Sequence, residues 1–299
     1  TGPGVLTLQG SGTGSNSGFQ GVLDVRQGTL VAMVDVGSGA AAGTLSILGT
    51  NRGWADGTIF RQGTNFQALL GNGNNNGDWT IEEFMTFEGG NTFTYNPLLD
   101  TTAAGQGNGV ANLGNRRALN LNGVTNIAGS TTFDIGGLAN PVGQVFPSTN
   151  GNPGTTNLPI VRIANNSGYL TGNGDIVKDG QGQLEFRGNS PEWKGNLIIK
   201  QGNVYAANQA DVLGSGYTNG KTITLGDADR QGMAQLLIQN PDNIQNWLFD
   251  IKHDINVVYN PTQTKRIGID NVANGNRVSF DGNITLNDNL IVLLQDGSI

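Results

Sequence analysis

Three pairs of closely spaced carboxylates are the first residues in this sequence that could do chemistry. They are Glu82 with Glu83, Asp175 with Asp179, and Asp227 with Asp229. Glycoside-cleaving enzymes use two such groups across the scissile bond, one as general acid and one as base or nucleophile. Neighbouring side chains of a strand point to opposite faces, so Glu82 and Glu83 cannot share a site there. For each pair we expect a solvent-exposed turn rather than a catalytic site.

The single histidine of the chain, His253, lies between Lys252 and Asp254 in an alternating segment. A Ser-His-Asp site would need this residue, but no nucleophile elbow or comparable context accompanies it. One histidine also cannot build a multi-histidine zinc site. We therefore expect an exposed strand histidine, and we predict that the chain is not an enzyme and carries no cofactor.

Two Asn-, Asp- and Gly-rich stretches, residues 71–78 and 227–232, resemble calcium-binding loops in composition. An EF-hand loop needs an acidic bidentate ligand at its twelfth position, and a calcium roll needs a serial nonapeptide pattern. Both features are missing, so turns are the expected structure and calcium stays a minor alternative. The Gly-rich stretches are not followed by the Gly-Lys-Ser/Thr of a phosphate loop.

The four tryptophans offer a further type of site, because an aromatic ring can stack on a sugar. They are Trp54, Trp79, Trp193 and Trp247. Trp79 and Trp247 each precede an apolar stretch that ends in Tyr-Asn-Pro, so these two are expected at equivalent positions. A wide aromatic ring fills a narrow core well, and we expect core filling rather than ligand stacking.

The amino-acid composition limits which secondary-structure elements could position these residues. The chain has 299 residues with 48 glycines, 36% hydrophobic and 13% charged residues. Gly and Asn tolerate positive φ, so many tight turns are expected. No long window keeps apolar residues at a spacing of 3.6, which argues against a helical protein.

Charge and cysteine content narrow the possible partners and compartment. The net charge is −7, and basic residues are scattered, which disfavours nucleic-acid binding through a basic face. No apolar run approaches the roughly 18–20 residues of a membrane span. The absence of cysteine fits a protein exported through a periplasm, and we expect an extracellular or cell-surface location.

An internal duplication organises the sequence. Five segments recur in the same order: 4–10 with 182–188, 22–33 with 196–207, 43–49 with 220–226, 79–97 with 247–261, and 114–136 with 275–297. We predict two copies, 1–137 and 179–299, joined by an irregular Pro-, Gly- and Asn-rich stretch, 138–178. Two independent domains with a linker are the alternative.

Short alternating segments bounded by Gly or Asn predict an all-β fold. Sparse apolar content, tandem copying and Asn/Gly corners favour a right-handed parallel β-helix, or β-solenoid, over tandem β-sandwiches. In such a solenoid a narrow column of Leu, Ile, Val and Phe forms the core. We expect rungs of roughly 20–25 residues that rise about 4.8 Å each.

The two ends of the chain carry a related pattern. Residues 296–299 followed by residues 1–4 would read DGSI-TGPG, which is similar to residues 167–174 within the chain. This similarity predicts either a longer array of neighbouring repeats or ends that dock on one another. End-to-end self-association is the expected partner interaction.

Residues 172–188, GNGDIVKDGQGQLEFRG, together with Trp193-Lys-Gly195, resemble the autotransporter-associated β-strand repeat. The Lys178-Asp-Gly180 step is the distinctive part of that pattern. The first copy matches it through residues 4–10, 19–21 and 27–30. The resemblance implies a right-handed β-helix exported to the cell surface.

These observations predict a structural role: an extracellular solenoid, part of a surface protein or filament that stacks or displays loops. The alternative is an adhesin that binds surface glycans through residues 138–178 and a loop near 98–113. A carbohydrate-active β-helix enzyme is the second alternative, and it would require a cluster of three carboxylates in one groove.

Overall fold

The structure is a computed structural model. It describes residues 2–11, 21–35, 48, 57–70, 79–95, 118–136, 159–164, 168–207, 211–214, 220–239, 248–272 and 277–296. Throughout these residues the fold is all-β without an α-helix, which confirms the predicted fold class. The described ranges contain no helix with the length and hydropathy of a membrane span.

The strands form three long sheets and one short sheet. Sheet A contains β1 Val5–Ser11, β3 Thr29–Asp35, β5 Asn65–Leu70, β8 Asn91–Tyr95, β11 Thr131–Ile135, β14 Ile176–Asp179, β16 Leu197–Ile199, β18 Thr222–Leu225, β21 Asp254–Val257 and β24 Ile284–Leu286. Sheet B contains β2 Leu23–Val25, β4 Thr58–Phe60, β7 Met85–Phe87, β10 Thr125–Ile127 and β13 Leu170–Thr171. Sheet C contains β6 Trp79–Ile81, β9 Ala118–Leu121, β12 Ile160–Ile163, β15 Gln183–Phe186, β17 Gly202–Ala207, β19 Gly232–Gln239, β22 Gln263–Val272 and β25 Ile291–Asp296. Sheet D contains β20 Leu248–Ile251 and β23 Arg277–Phe280.

The chain winds through these sheets in a fixed order. From β6 onward it passes from sheet C to sheet B and then to sheet A, and it repeats this cycle through β14. In the later rungs sheet D takes the place between C and A, and the bridge between Gly172 and Trp193 extends sheet B. Every strand pair within the described ranges is parallel, as in a parallel β-solenoid, for example β11 with β14.

The length of a rung varies more than the sequence predicted. Ile176 pairs with Leu197, 21 positions along, whereas Thr131 pairs with Ile176, 45 positions along. The expected length of roughly 20–25 residues fits the rung at Ile176 but is much too short for the rung at Thr131. Stacking fixes only the short strands, so the segments that connect them can differ in length from rung to rung.

One continuous column of inward side chains forms the core beneath sheet A. Strand register aligns these residues in order: Leu6, Leu30, Phe66, Phe93, Phe133, Lys178, Ile199, Leu225, Val257 and Leu286. The ring of Phe93 lies 5.1 Å from those of Phe66 and Phe133. The predicted apolar column is thus confirmed, and one cation, Lys178, interrupts it.

The corners between sheets explain the demand for Gly and Asn. A Cβ on Gly195 would lie 1.8 Å from the carbonyl oxygen of Gly174 on the rung before, so no larger residue fits there. The Asn91 amide donates to the carbonyl oxygens of Arg61 and Thr64 on the preceding rung, at 2.8 and 2.9 Å. Side-chain amides therefore form hydrogen bonds along the stack.

The matched segments of the two copies keep their order in the structure, but they lie on different faces. Strands β9, β10 and β11 occupy sheets C, B and A, whereas the matching β23, β24 and β25 occupy sheets D, A and C. The other matched strands show the same displacement. Strands β1, β2 and β3 lie in sheets A, B and A, whereas the matching β15, β16 and β17 lie in sheets C, A and C, each one sheet further along the winding order. A strand sequence can occupy any of the three faces, because each face has the same alternation of inward apolar and outward polar side chains around one core.

The stretch predicted as an irregular joint, residues 138–178, contributes to the solenoid. Its described residues, 159–164 and 168–178, form β12, β13 and most of β14. Sheets A and C continue through it without a break, since β11 pairs with β14 and β12 pairs with both β9 and β15. The remaining residues of that stretch, and the loop near 98–113, lie outside the described ranges.

Candidate functional site

The most unusual chemistry in the described residues is a lysine inside the core. Lys178 is fully buried on the inward side of β14, where the column otherwise holds phenylalanine and aliphatic residues. Its ammonium group donates to the carbonyl oxygens of Asp179, Gly180 and Gln201, at 2.5, 2.6 and 3.2 Å. Burial lowers the pKa of Lys178 to about 7, and the nearby carboxylates of Asp179 and Asp134 partly oppose this shift. The lysine therefore closes a corner of the solenoid.

Two carboxylates face each other outside this corner. Asp134 pairs in register with Asp179 on the next rung. Arg230 donates to both carboxylate oxygens of Asp179, at 3.1 and 2.6 Å. Burial, followed by the charge of Asp179, raises the pKa of the Asp134 carboxyl. This pair lies on neighbouring rungs, where a glycoside-cleaving pair would be expected, but an arginine already engages one member.

The pairing of Asp134 with Asp179 could not be predicted from the sequence, and the reason is geometric. The two residues are 45 positions apart, and only the stacking of β11 on β14 brings them together. Spacing in the sequence groups Asp179 with Asp175. In the structure the Asp175 carboxylate instead accepts hydrogen bonds from the backbone and side-chain amides of Asn196, at 2.8 and 3.0 Å.

Two further buried lysines repeat the arrangement at Lys178. Lys221 lies just before β18 and donates to the carbonyl oxygen of Trp193, with its ammonium nitrogen 5.1 Å from the centre of that indole ring. Lys265, in β22, donates to the carbonyl oxygen of Asn260 and to the Asp288 carboxylate, both at 2.5 Å. Burial lowers the pKa of Lys221 to about 8. All three lysines satisfy backbone carbonyl groups where the chain turns between sheets.

The outer side of sheet C holds a buried carboxylate between two arginines. The Glu185 carboxylate accepts from Arg162 Nε at 2.8 Å and from Arg187 Nε at 2.7 Å. Gln183 also donates to Glu185 from the same strand. Several donors hold this one carboxylate, and Arg162 reaches it from the preceding rung, which suits an anchoring role between rungs.

The remaining predicted carboxylates lie at corners. Glu82 and Glu83 lie between β6 and β7, and the expected solvent-exposed turn is wrong for Glu83, which is fully buried. It is also wrong for Asp179, which lies in strand β14 and is buried. Asp227 and Asp229 lie in a turn, as expected for this pair, and the Asp227 carboxylate accepts a hydrogen bond from the Asp229 backbone amide at 2.9 Å. Three or more His, Cys, Asp or Glu side chains do not come together as a metal site anywhere in the part of the chain that the structure describes.

The prediction for His253 is wrong. Its side chain is buried, and Nε2 lies 3.1 Å from the carbonyl oxygen of Leu213. Burial, followed by the charge of Lys221, lowers the pKa of His253 to about 4. The alternating sequence pattern marks this stretch as a strand, but the residue occupies the corner just before β21, where the previous rung covers it.

The described tryptophans fill the core, as predicted. Trp79 and Trp193 are buried. The Trp193 ring stacks on Phe186 at a centroid distance of 5.9 Å, and its Nε1 donates to the Gly174 carbonyl oxygen at 3.0 Å. Trp54, Trp247 and the calcium-like stretch 71–78 lie outside the described residues.

The two ends of the solenoid expose apolar side chains. Leu6 in β1 is 54% exposed, and Leu286 in β24 is 60% exposed. In β25, Ile291 and Val292 are 43% and 58% exposed. These residues occupy strand positions whose equivalents on inner rungs are covered by the next rung. The described ends therefore present open sheet edges.

The sequence matches no family model. It also matches no curated protein and no solved structure.

Proposed function

We propose that this chain is a rigid structural rod that forms part of an exported surface protein or filament. It acts mechanically, through its length and stiffness, rather than by catalysis. The observation that carries the proposal is the inward column of sheet A, which runs through ten paired strands.

Stiffness follows from how each rung is held. An inner strand of sheet A shares parallel hydrogen bonds with two neighbouring strands, as β11 does with β8 and β14. At the corners, Lys178 and Lys221 connect carbonyl groups of successive rungs. Bending the rod would therefore break backbone pairing, corner bonds and core packing together.

Two features of the sequence support export. The chain contains no cysteine, so it can cross an oxidising compartment without forming disulfides. Residues 172–188 resemble the autotransporter-associated repeat, whose members are surface proteins. Protease treatment or antibody labelling of intact cells tests the location, and protection of the protein until the cells are lysed would contradict it.

Deleting one complete rung tests the structural role. Ile176 and Leu197 are register partners, so removing residues 176–196 joins Asp175 to Leu197 with the winding in phase. We expect this variant to fold and unfold cooperatively, because one repeat of a linear stack is dispensable.

Deleting residues 176–185 is the matched control, since it removes about half a rung and sets the chain out of phase. We expect this control to lose cooperative unfolding in urea. Equal failure of both deletions would contradict the rod. Reproducible binding to a glycan array would favour adhesion instead.

A further inference from the structure

One corner of the solenoid carries charged side chains on its outer side. It lies where the strands of sheet A end and the chain turns toward sheet C. Four successive rungs contribute to this charge column, which consists of Asp134, Asp179, Lys200, Asp227 and Arg230. Three of these residues are carboxylates and two are cations, so the outer side of the corner has one carboxylate in excess.

Both cations of the charge column engage carboxylates other than Asp134. Lys200 lies 3.2 Å from the Asp227 carboxylate, and Arg230 donates to both oxygens of Asp179, at 3.1 and 2.6 Å. Asp134 stands at the end of the column. Its Oδ1 is buried and accepts no hydrogen bond from the described residues. A buried acceptor without a donor is destabilising, so the excess charge and the missing hydrogen bond fall on the same side chain.

The strands on either side of β11 decide which groups Asp134 faces. Toward β8 its register partner is Thr94, which carries no charge. Toward β14 its register partner is Asp179. Lys178 precedes Asp179, but its ammonium group lies on the inward side and donates to backbone carbonyl oxygens. On the outer side, the neighbour of Asp134 along the stack is therefore another carboxylate.

Burial and the charge of Asp179 both favour the protonated form of Asp134. They raise the pKa of its carboxyl above the ordinary value of 3.8, and the charges of Lys178 and Arg230 partly oppose this shift. A proton on this carboxyl supplies what the corner lacks, because an O–H group can donate to the neighbouring carboxylate. Two carboxylates on adjacent strands can share one proton in this way.

We propose that Asp134 and Asp179 form a proton-operated latch between the rungs of β11 and β14. With the proton present, Asp134 donates to the Asp179 carboxylate, which Arg230 holds from two rungs further along. With the proton absent, two like charges face each other across one pair of strands. This contact of the stack is therefore tighter in acid than at neutral pH. The latch does not depend on the proposed role of the rod.

The direction of the pH dependence follows from proton binding. The folded chain holds the Asp134 proton more tightly than the unfolded chain, because the pKa is raised in the folded state. The stability that the latch contributes is complete below pH 3.8 and is lost as pH rises through the raised pKa. Lys178 has the opposite dependence, and its window from about pH 7 to 10.5 is avoided by measurement between pH 4 and 6.5.

Two substitutions of Asp134 separate its charge from its hydrogen bond. Asp134→Asn has the shape of the protonated carboxyl and can donate to Asp179 at every pH. We expect its unfolding constant to be at least about tenfold smaller than that of wild type at pH 6.5, because a hydrogen bond to a charged group contributes at least that factor. At pH 4 the two proteins should agree within about twofold.

Asp134→Ala removes the charge and the donor together. At pH 4, where wild type has its latch closed, this variant should unfold with a constant at least about tenfold larger than that of wild type. Glu192→Gln is the matched control, since it removes one negative charge from an exposed turn before Trp193. Its unfolding constant should stay within about twofold of wild type at every pH.

Urea unfolding at four pH values from 4 to 6.5 gives the ratios of these constants. All four proteins contain His253, so its titration cancels in each ratio. Hydrogen exchange at pH 6.5 locates the effect, because intrinsic rates also cancel at one pH. We expect slower exchange in β11 and β14 of Asp134→Asn than in the same strands of wild type.

A ratio between wild type and Asp134→Asn that stays constant from pH 4 to 6.5 would overturn the latch. So would an Asp134→Ala variant as stable as Asp134→Asn at pH 4, since Asp134 would then make no hydrogen bond in acid. A pH-dependent change in Glu192→Gln as large as that in Asp134→Asn would assign the effect to net charge and not to this contact.

Discussion

Replacing Lys178 with methionine separates the two roles of a buried lysine, as a hydrogen-bond donor and as a charge. Methionine fits the apolar column between Phe133 and Ile199, but it leaves the surrounding carbonyl oxygens without their donor. In the unfolded chain the lysine has its ordinary pKa of 10.5, whereas burial lowers the pKa to about 7 in the folded state. The effect of the substitution should therefore depend on pH.

The sign follows from proton binding. The folded state holds this proton more weakly than the unfolded chain, so unfolding takes up a proton between pH 7 and 10.5. The free energy of unfolding of wild type should therefore rise with pH across that window. With these two pKa values, the Lys178 contribution increases by about 2.5 kcal/mol between pH 6 and pH 9.

At pH 9 the amine is neutral in the folded state and still donates two hydrogen bonds. Its loss should then destabilise Lys178→Met by about 3 kcal/mol, because each buried acceptor without a donor costs about 1–3 kcal/mol. At pH 6 relief from the buried charge offsets most of that loss, and the difference from wild type should fall to about 0.5 kcal/mol.

Urea unfolding at pH 6, 7.5 and 9 measures this difference. Lys200→Met is the control, because Lys200 pairs with Asp227 at 3.2 Å near the surface and should change stability by less than about 1 kcal/mol at each pH. A gap between Lys178→Met and wild type that stays constant from pH 6 to pH 9 would refute the reasoning.

Three other substitutions test the core and the corners. Phe93→Ala should cost about 3–5 kcal/mol in urea unfolding, because it opens a cavity between the rings of Phe66 and Phe133, whereas the outward-facing Thr94→Ala should cost less than about 1 kcal/mol. Wild type should lose about 2–3 kcal/mol of stability through His253 as pH falls from 6.5 to 4, because only the unfolded chain takes up that proton, and His253→Gln should not show this loss. Acid titration followed by fluorescence measures the loss. Superimposable curves for the two proteins would contradict the assignment. Asn260→Ala should lower the free energy of unfolding by about 2–4 kcal/mol, because the side-chain amide donates to three carbonyl groups of the preceding rung. Thermal unfolding measures this cost, with Asn287→Ala at an exposed position as the control. A change no larger than that of the control would show that these hydrogen bonds contribute little.

The sequence determined the fold class because its signals are local. Alternation of apolar residues sets which side chains point inward, and Gly and Asn mark the corners at which the chain turns. The sequence therefore predicted a core of Leu, Ile, Val and Phe, and the structure buries Leu197, Ile199 and Leu225 in that core. The position of Trp193 in the core could also be predicted, since a wide ring seals a narrow column.

The pairing of distant residues was decided only by the tertiary structure. Nothing in the sequence states that a rung spans 21 residues at Ile176 and 45 at Thr131, so the pairing of Asp134 with Asp179 could not be derived from spacing. The burial of His253 depends likewise on which rung covers its corner.

Lys178 illustrates both what the local sequence shows and what only the tertiary structure decides. The Lys178-Asp-Gly180 step was visible as a pattern, but a charged residue in a strand is normally predicted to face solvent. Only the stacked structure shows three carbonyl oxygens converging on its ammonium group, one of them from Gln201 on the next rung. Local sequence specifies the strands and the turns, whereas the register between rungs decides which side chains meet.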